Sequence, residues 1–316
     1  MKGPGAISST EGGAWDEDGR DRSESFTADC QIDFLANQLV ANGISPELNL
    51  WPEIRERIQH RGLAEYRALT LDDSFILNRT KAQILLGSGY VLSEFLLQPM
   101  GIPVKLRKPI ASAGAVLNLT VVACDRLLES GLSVSEVVPL FEPGLGASES
   151  TVDRLMRCYR KRLADLGLDR PLSPTINEAI RRMFEAEAHS VSSRPDLPFR
   201  VWLRKSALPF VTMGLPACAD VSYLRWLYRL GCVFGAVDDI ADYAMDLERN
   251  EPNVLRDYSD EQRFKFISRL ARRGAQVLAE WDSLVPRSYE FAARREIFAY
   301  FVWNWIGRVP ATSTTR

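Results

Sequence analysis

Three observations predict an all-α fold for this chain. Apolar residues recur at helical spacing in almost every segment from Ala28 onward. Alternating runs of the strand type are nearly absent. Pro198, Pro209, Pro216, Pro252 and Pro286 punctuate the periodic segments of the second half. Together they predict one domain of roughly ten to twelve helices, too many for a simple four-helix bundle and suited to a layered bundle around a central apolar cavity.

The elements follow in order. Residues 1–27 are rich in Gly, Ser, Asp and Glu and poor in apolar residues, so a disordered tail is expected. Ile32, Leu35, Leu39 and Val40 give the first amphipathic face. A long apolar segment follows from Phe75 to Leu97, and another from Pro109 to Ser130, with Pro109 suited to a first helical turn. Thr151 to Leu166 reads as a strongly charged amphipathic helix, and Ser173 opens another that runs to His189. Further helices are expected over 199–214, 219–249, 259–284 and 288–306. The helical domain then spans 28–306, with 307–316 as a flexible tail.

Composition narrows the function classes. The chain has 316 residues, 46% hydrophobic and 25% charged, with a net charge of −2. These values suit a soluble globular protein and lack the basic footprint of a nucleic-acid binder. No uninterrupted apolar run reaches the ~18 residues of a transmembrane helix, and no basic region followed by an apolar stretch marks a secretory signal. Cys30, Cys124, Cys158, Cys218 and Cys232 are odd in number and lack CxxC spacing. They are expected as buried free thiols in a reducing cytoplasm. With His60 and His189 the only histidines, neither a histidine metal site nor a Ser-His-Asp triad is indicated.

The most informative stretch is CVFGAVDDIADYAMDLERNEPN, residues 232–253. Asp238, Asp242 and Asp246 fall at i, i+4 and i+8, with Asp239 beside the first, so a helix stacks these carboxylates about 6 Å apart. Like charges so placed repel. The helix upstream is apolar (Leu224, Trp226, Leu227, Leu230, Val233, Phe234), which puts the acids at the end of a buried segment and calls for a cation. A hard divalent ion, Mg²⁺ above all, suits a few carboxylates together with phosphate oxygens. A second apolar helix ends in the same way, with Asp125 and Glu129 at i, i+4 in NLTVVACDRLLESGLS. Two such helices can present their acids across one cavity mouth. Taken alone, Asp125 and Glu129 equally fit a solvated helix end with Arg126 nearby.

The paired acidic helices resemble the class I isoprenoid synthase superfamily, which includes terpene cyclases, trans-prenyltransferases and squalene or phytoene synthases. The resemblance covers roughly residues 75–306. Asp238, Asp239 and Asp242 are similar to the second aspartate-rich motif, DDxxD. Asp238, Asp242 and Asp246 also match the N/D-xxx-S/D-xxx-E spacing of the cyclases, with Asp in the last place. Asp125 with Glu129 resembles the looser DxxxD/E form of the first motif, nearest the Bacillus-type large terpene synthases and the squalene synthase branch. WLRKSALPFVTMG, residues 202–214, looks like the family's lysine-bearing helix.

The resemblance implies an all-α bundle around an apolar pocket and a Mg²⁺ cluster, of three ions, held by Asp125, Glu129, Asp238, Asp239, Asp242 and Asp246. It implies a linear prenyl diphosphate as substrate, with Lys205 on the diphosphate and Arg204 or Arg200 as second cations. Asp125, Asp239 and Lys205 would then be catalytic. Phe210, Tyr228 and Phe234 are the substrate-facing aromatics expected, with Trp226, Phe298, Trp303 and Trp305 as further candidates, although core packing is the role that such aromatics more often serve. Gly231 and Gly235 either leave room for the hydrocarbon chain or allow close helix packing. Glu185 and Glu187 are expected at the surface.

Departures from the family pattern bear on the branch. Asp125 has no acidic neighbour, GGKxxRP and the paired arginines of chain-elongating enzymes are missing, and the C-terminal Arg-Tyr pair of many microbial cyclases is missing too. The leading expectation is a cytoplasmic, Mg²⁺-dependent terpene synthase, with a homodimer left open. The alternatives are a prenyl-coupling enzyme and a catalytically silent helical partner subunit of the same fold.

Overall fold

The computed structural model describes residues 28–45, 51–69, 71, 77–97, 100, 102–132, 151–192, 199–218, 220–284 and 292–307. The expected tail over 1–27, and 308–316 of the expected C-terminal tail, lie outside the described residues. Among the described residues the fold is all-helical. The helices are α1 (Ala28–Ala41), α2 (Trp51–Leu69), α3 (Arg79–Leu97), α4 (Val104–Glu129), α5 (Thr151–Ala164), α6 (Asp169–Ser192), α7 (Phe199–Gly214), α8 (Val221–Glu248), α9 (Asp260–Leu284) and α10 (Ala292–Trp305).

α2 is not among the expected elements, and two helix starts differ from expectation because each lies ahead of a proline. α4 begins directly after Pro103, so Pro109 lies inside it, and α6 begins at Asp169 with Pro174 inside. Each interior proline removes one backbone donor, a cost of ~3 kcal/mol or more that the burial of these helices outweighs. Ile110, Ala111 and Ala113 are buried immediately beyond Pro109. Among the described residues a single helix, Lys105–Leu128, meets the length and composition of a membrane span, and core burial accounts for its apolar character, with 61% of its apolar window buried inside the fold. Cys30 corrects the cysteine expectation, because it is exposed; Cys124 is buried and the other three are intermediate.

α3 packs most extensively on α4 and α2, α7 on α8 and α6, and α1 on α9. An aromatic ladder ties α3, α8 and α9 together. Tyr223 stacks on Trp226 and Trp226 on Trp281, with ring centroids 6.1 and 6.3 Å apart, and Phe95 closes on Trp281 at 4.7 Å. Two of the buried polar tips in the ladder find carbonyl acceptors. Tyr223 donates to the Leu96 carbonyl at 2.8 Å and Trp226 Nε1 to the Val277 carbonyl at 2.9 Å. This ladder fixes α8 against the rest of the fold, and α8 carries the acidic stripe.

Candidate active site

α8 starts at a well-formed cap, with the Asp220 carboxylate accepting from the backbone N–H groups of Ser222 and Tyr223 at 2.9 and 3.0 Å. Its apolar face is buried from Tyr223 to Tyr243. The acids follow on the side left open. Asp238 is exposed, while Asp239, Asp242 and Asp246 are partly buried.

The chain leaving α8 turns back over the stripe, with Asn250 at a φ of 54° in the turn. Buried Asn253 then donates to the Asp239 carbonyl at 2.6 Å and to Asp246 Oδ2 at 2.8 Å. The Val254 N–H donates to Asp239 Oδ2 at 2.7 Å. The loop thus holds one oxygen each of Asp239 and Asp246 and orients both carboxyls.

α7 crosses close to α8 at two glycines. A Cβ on Gly235 would lie 2.3 Å from Ser206 Cβ, and one on Gly231 would lie 2.8 Å from Ala207 Cα. Close packing therefore requires both glycines. It also sets Lys205 beside the acids. Lys205 Nζ lies 3.8 Å from Asp125 Oδ1 on α4 and 3.6 Å from Glu187 Oε2 on α6. Pro209, four residues on, has no N–H for the Lys205 carbonyl, so that carbonyl lacks its helical donor.

Glu187 corrects a surface expectation: it is only 3% exposed. At 3.6 Å its contact with Lys205 is an ion pair rather than a hydrogen bond, and Oε2 is buried without a hydrogen-bond partner. Glu185 does lie nearer the surface, in an ion pair with Arg181.

The electrostatics follow from crowding acids in a protein wall. Burial pushes Glu187 up to about 7, opposed by Lys205 and reinforced by Asp125. Asp239 is pushed up to about 7, by burial first, against the lowering effect of the Val254 N–H. Asp238 is pushed up to about 6 by the protein packed around its carboxyl and then by Asp242; solvent reaches this residue, so its effect on stability is screened. Asp242 and Asp246 shift upward as well, again chiefly through burial. Lys205 shifts upward because Glu187 faces it, with Asp125, Asp239 and Asp238 adding to the effect. Five carboxyls held above their ordinary range around one ammonium make a site short of positive charge.

These groups meet in a cleft of about 210 Å³ lined by Glu187, Trp202, Lys205, Ser206, Pro209, Phe210, Phe234, Gly235, Asp238, Asp239, Pro252 and Trp305. Phe210 stacks on Phe234 at 5.2 Å, and Trp305 meets the edge of Phe234 at 5.0 Å. Of the residues expected in the site, the cleft gathers Lys205, Phe210, Phe234, Gly235, Asp238 and Asp239, with Asp125 reached through Lys205.

Others fall elsewhere. Tyr228 lines a different pocket, two turns or about 10 Å before Gly235 along α8. Arg204 is exposed and acts on Tyr228 rather than lining the cleft. Trp226 and Phe298 are core, and Trp303 is buried, donating to the Ile44 carbonyl at 3.2 Å. The Glu129 side chain lies outside the described residues.

Glu187 and Asn253 are the participants that sequence reasoning missed. The motif NEPN after the stripe was the one available signal for Asn253; burial of Glu187 had none.

The donor set consists of hard carboxylate oxygens, which fits Mg²⁺. Among the described residues no group of three or more His, Cys, Asp or Glu side chains is gathered to hold a metal ion by itself. Mg²⁺ commonly needs only one or two carboxylates when substrate phosphates supply the rest, so the acids fit an ion shared with a diphosphate. The chain matches no protein-family model, no curated protein and no solved structure.

Proposed function

We propose that this chain is a class I terpene synthase: it binds a linear prenyl diphosphate with Mg²⁺ and promotes loss of the diphosphate, with cyclisation or rearrangement of the resulting carbocation. The observation that carries the reading is the meeting of Lys205 with Asp238 and Asp239 in one aromatic-walled cleft, with Asp125 held beside Lys205, so that three separate helices converge.

Asp238, Asp239, Asp242 and Asp246 would hold Mg²⁺ from one side and Asp125, with Glu129, from the other. When bound, the ion neutralises charge developing on the leaving diphosphate. The chain's own residues do the rest. Glu187 keeps the Lys205 ammonium protonated and aimed into the cleft, where diphosphate oxygens would compete for it with Asp125. Phe210, Phe234 and Trp305 form an apolar wall that excludes water, and their ring faces favour a nearby carbocation. The cleft is smaller than the ~300 Å³ at the low end of ligand sites, so short prenyl chains fit before long ones.

The test is incubation with C10 to C25 prenyl diphosphates and Mg²⁺, with extracted products read by mass spectrometry. A hydrocarbon or alcohol product from one substrate alone is expected. No product from any of them sinks the proposal. Product formed only when a second diphosphate is added turns it into a prenyl-coupling enzyme.

A further inference from the structure

A second pocket lies on the other side of Trp202, which lines both. At about 420 Å³ it is twice the volume of the 210 Å³ cleft and falls within the range of small-molecule sites. It is walled by α7, α8 and α9, with Tyr258 from the loop between α8 and α9. Its aromatic surface comes from Phe199 and Trp202, whose rings stack at 5.5 Å, and from Tyr258 and Phe266, which meet edge to face at 5.8 Å. Phe199 is 50% exposed, so this apolar surface is open to solvent.

The charged groups among its lining residues are of one sign. Arg229, Arg269 and Arg273 line the pocket, and no acid does. Arg269 and Arg273 lie one turn apart on the face of α9 that also presents Phe266 and Leu270. Arg229 is neutralised by Glu280, whereas among the described residues Arg273 reaches only the amide of Gln276 at 3.3 Å. Among the described residues Arg269 makes no ion pair or hydrogen bond. Two exposed guanidinium groups without a carboxylate partner among the described residues thus stand over an aromatic and aliphatic trough. The walls offer few acceptors for a sugar or a base. The chemistry that satisfies them is an apolar chain with one anionic head.

We propose that this pocket binds a single-chain lipid anion, a fatty carboxylate or a prenyl monophosphate, with its head on Arg269 and Arg273 and its chain along Phe199, Trp202 and Phe266. The site does not depend on the diphosphate reading, because it uses neither the acids nor Mg²⁺.

The test uses the full chain carrying Asp238→Asn and Asp239→Asn, in EDTA, so that the cleft is silenced. Myristate, farnesyl monophosphate and the neutral alcohols of both are titrated against intrinsic tryptophan fluorescence. Saturable binding of at least one anion is expected, at least tenfold tighter than its alcohol, and the anion that binds identifies the source. Arg269→Glu with Arg273→Glu should weaken the anion at least tenfold and leave the alcohol unchanged. Both arginines are exposed, so an unchanged circular dichroism spectrum and Tm should accompany the loss. No saturable anion binding, or binding indifferent to the double reversal, overturns the proposal. So does displacement of the bound anion by a peptide of residues 10–27, which would assign the pocket to the chain's own Trp15, Asp16, Glu17 and Asp18. A change of oligomeric state in the double variant, with lipid binding unaltered, overturns it in favour of a second copy.

Discussion

Replacing Asp239 by Asn should stabilise the metal-free protein. The carboxyl of Asp239 is pushed up from 3.8 to about 7, chiefly by burial. A carboxyl raised in the folded state binds more protons there than in the unfolded chain, so stability falls as pH rises from about 4 to about 7 and is flat above. The shift of about 3 units, at ~1.36 kcal/mol per unit, sets a ceiling of ~4 kcal/mol on the penalty at pH 8.

Asparagine keeps an oxygen to accept from the Val254 N–H and carries no charge. Part of the ceiling is lost to water at the cleft mouth, so a gain of ~1–3 kcal/mol is expected at pH 8. At ~2–4 °C per kcal/mol for a chain of this size, Tm should rise by ~2–12 °C. The gain should shrink by about half at pH 5, where the native carboxyl is already protonated. Thermal unfolding followed by tryptophan fluorescence in EDTA, at pH 8 and pH 5, measures both. A fall in Tm, or a gain independent of pH, would refute the reasoning that the acidic stripe is strained by its own charge.

Other consequences follow from the same geometry. Lys205→Ala strands the buried Glu187 carboxylate and should cost ~1–3 kcal/mol at pH 8 by urea unfolding, with most of it recovered in the Lys205→Ala, Glu187→Gln double variant; simple additivity would contradict the pairing. Gly235→Ala drives a Cβ to 2.3 Å from Ser206 and should cost ~1–3 kcal/mol, partly relieved by Ser206→Gly; an unchanged Tm would contradict the close approach of α7 and α8. Asn253→Ala leaves the Asp239 carbonyl and Asp246 Oδ2 without their donor and should cost ~1–3 kcal/mol, with faster amide exchange at Val254; unaltered exchange there would count against the loop's role.

How far the sequence carried depended on whether a feature is local. The helices were legible because helical periodicity belongs to each segment alone, and the bounds of α7, α8 and α9 lie within two residues of expectation. The starts of α4 and α6 were not, since a proline inside a helix is a local cost that distant packing offsets.

The α8 acids and Lys205 could be found from residue type and spacing. Glu187 could not, because its burial depends on α4, α6 and α7 meeting. Gly231 and Gly235 were noticed, but only the position of Ser206 and Ala207 shows that they serve helix packing. Tyr228 was misplaced for a geometric reason: seven residues return to nearly the same face of a helix but two turns away.

The most direct test of the account is calorimetric titration of the protein with inorganic pyrophosphate, with and without Mg²⁺. Saturable binding that requires Mg²⁺, and that Lys205→Ala and Asp238→Asn each weaken at least tenfold, is the predicted result. Pyrophosphate that binds equally well in EDTA, or whose affinity ignores both substitutions, would contradict the claim that Lys205 and the α8 acids form one diphosphate clamp.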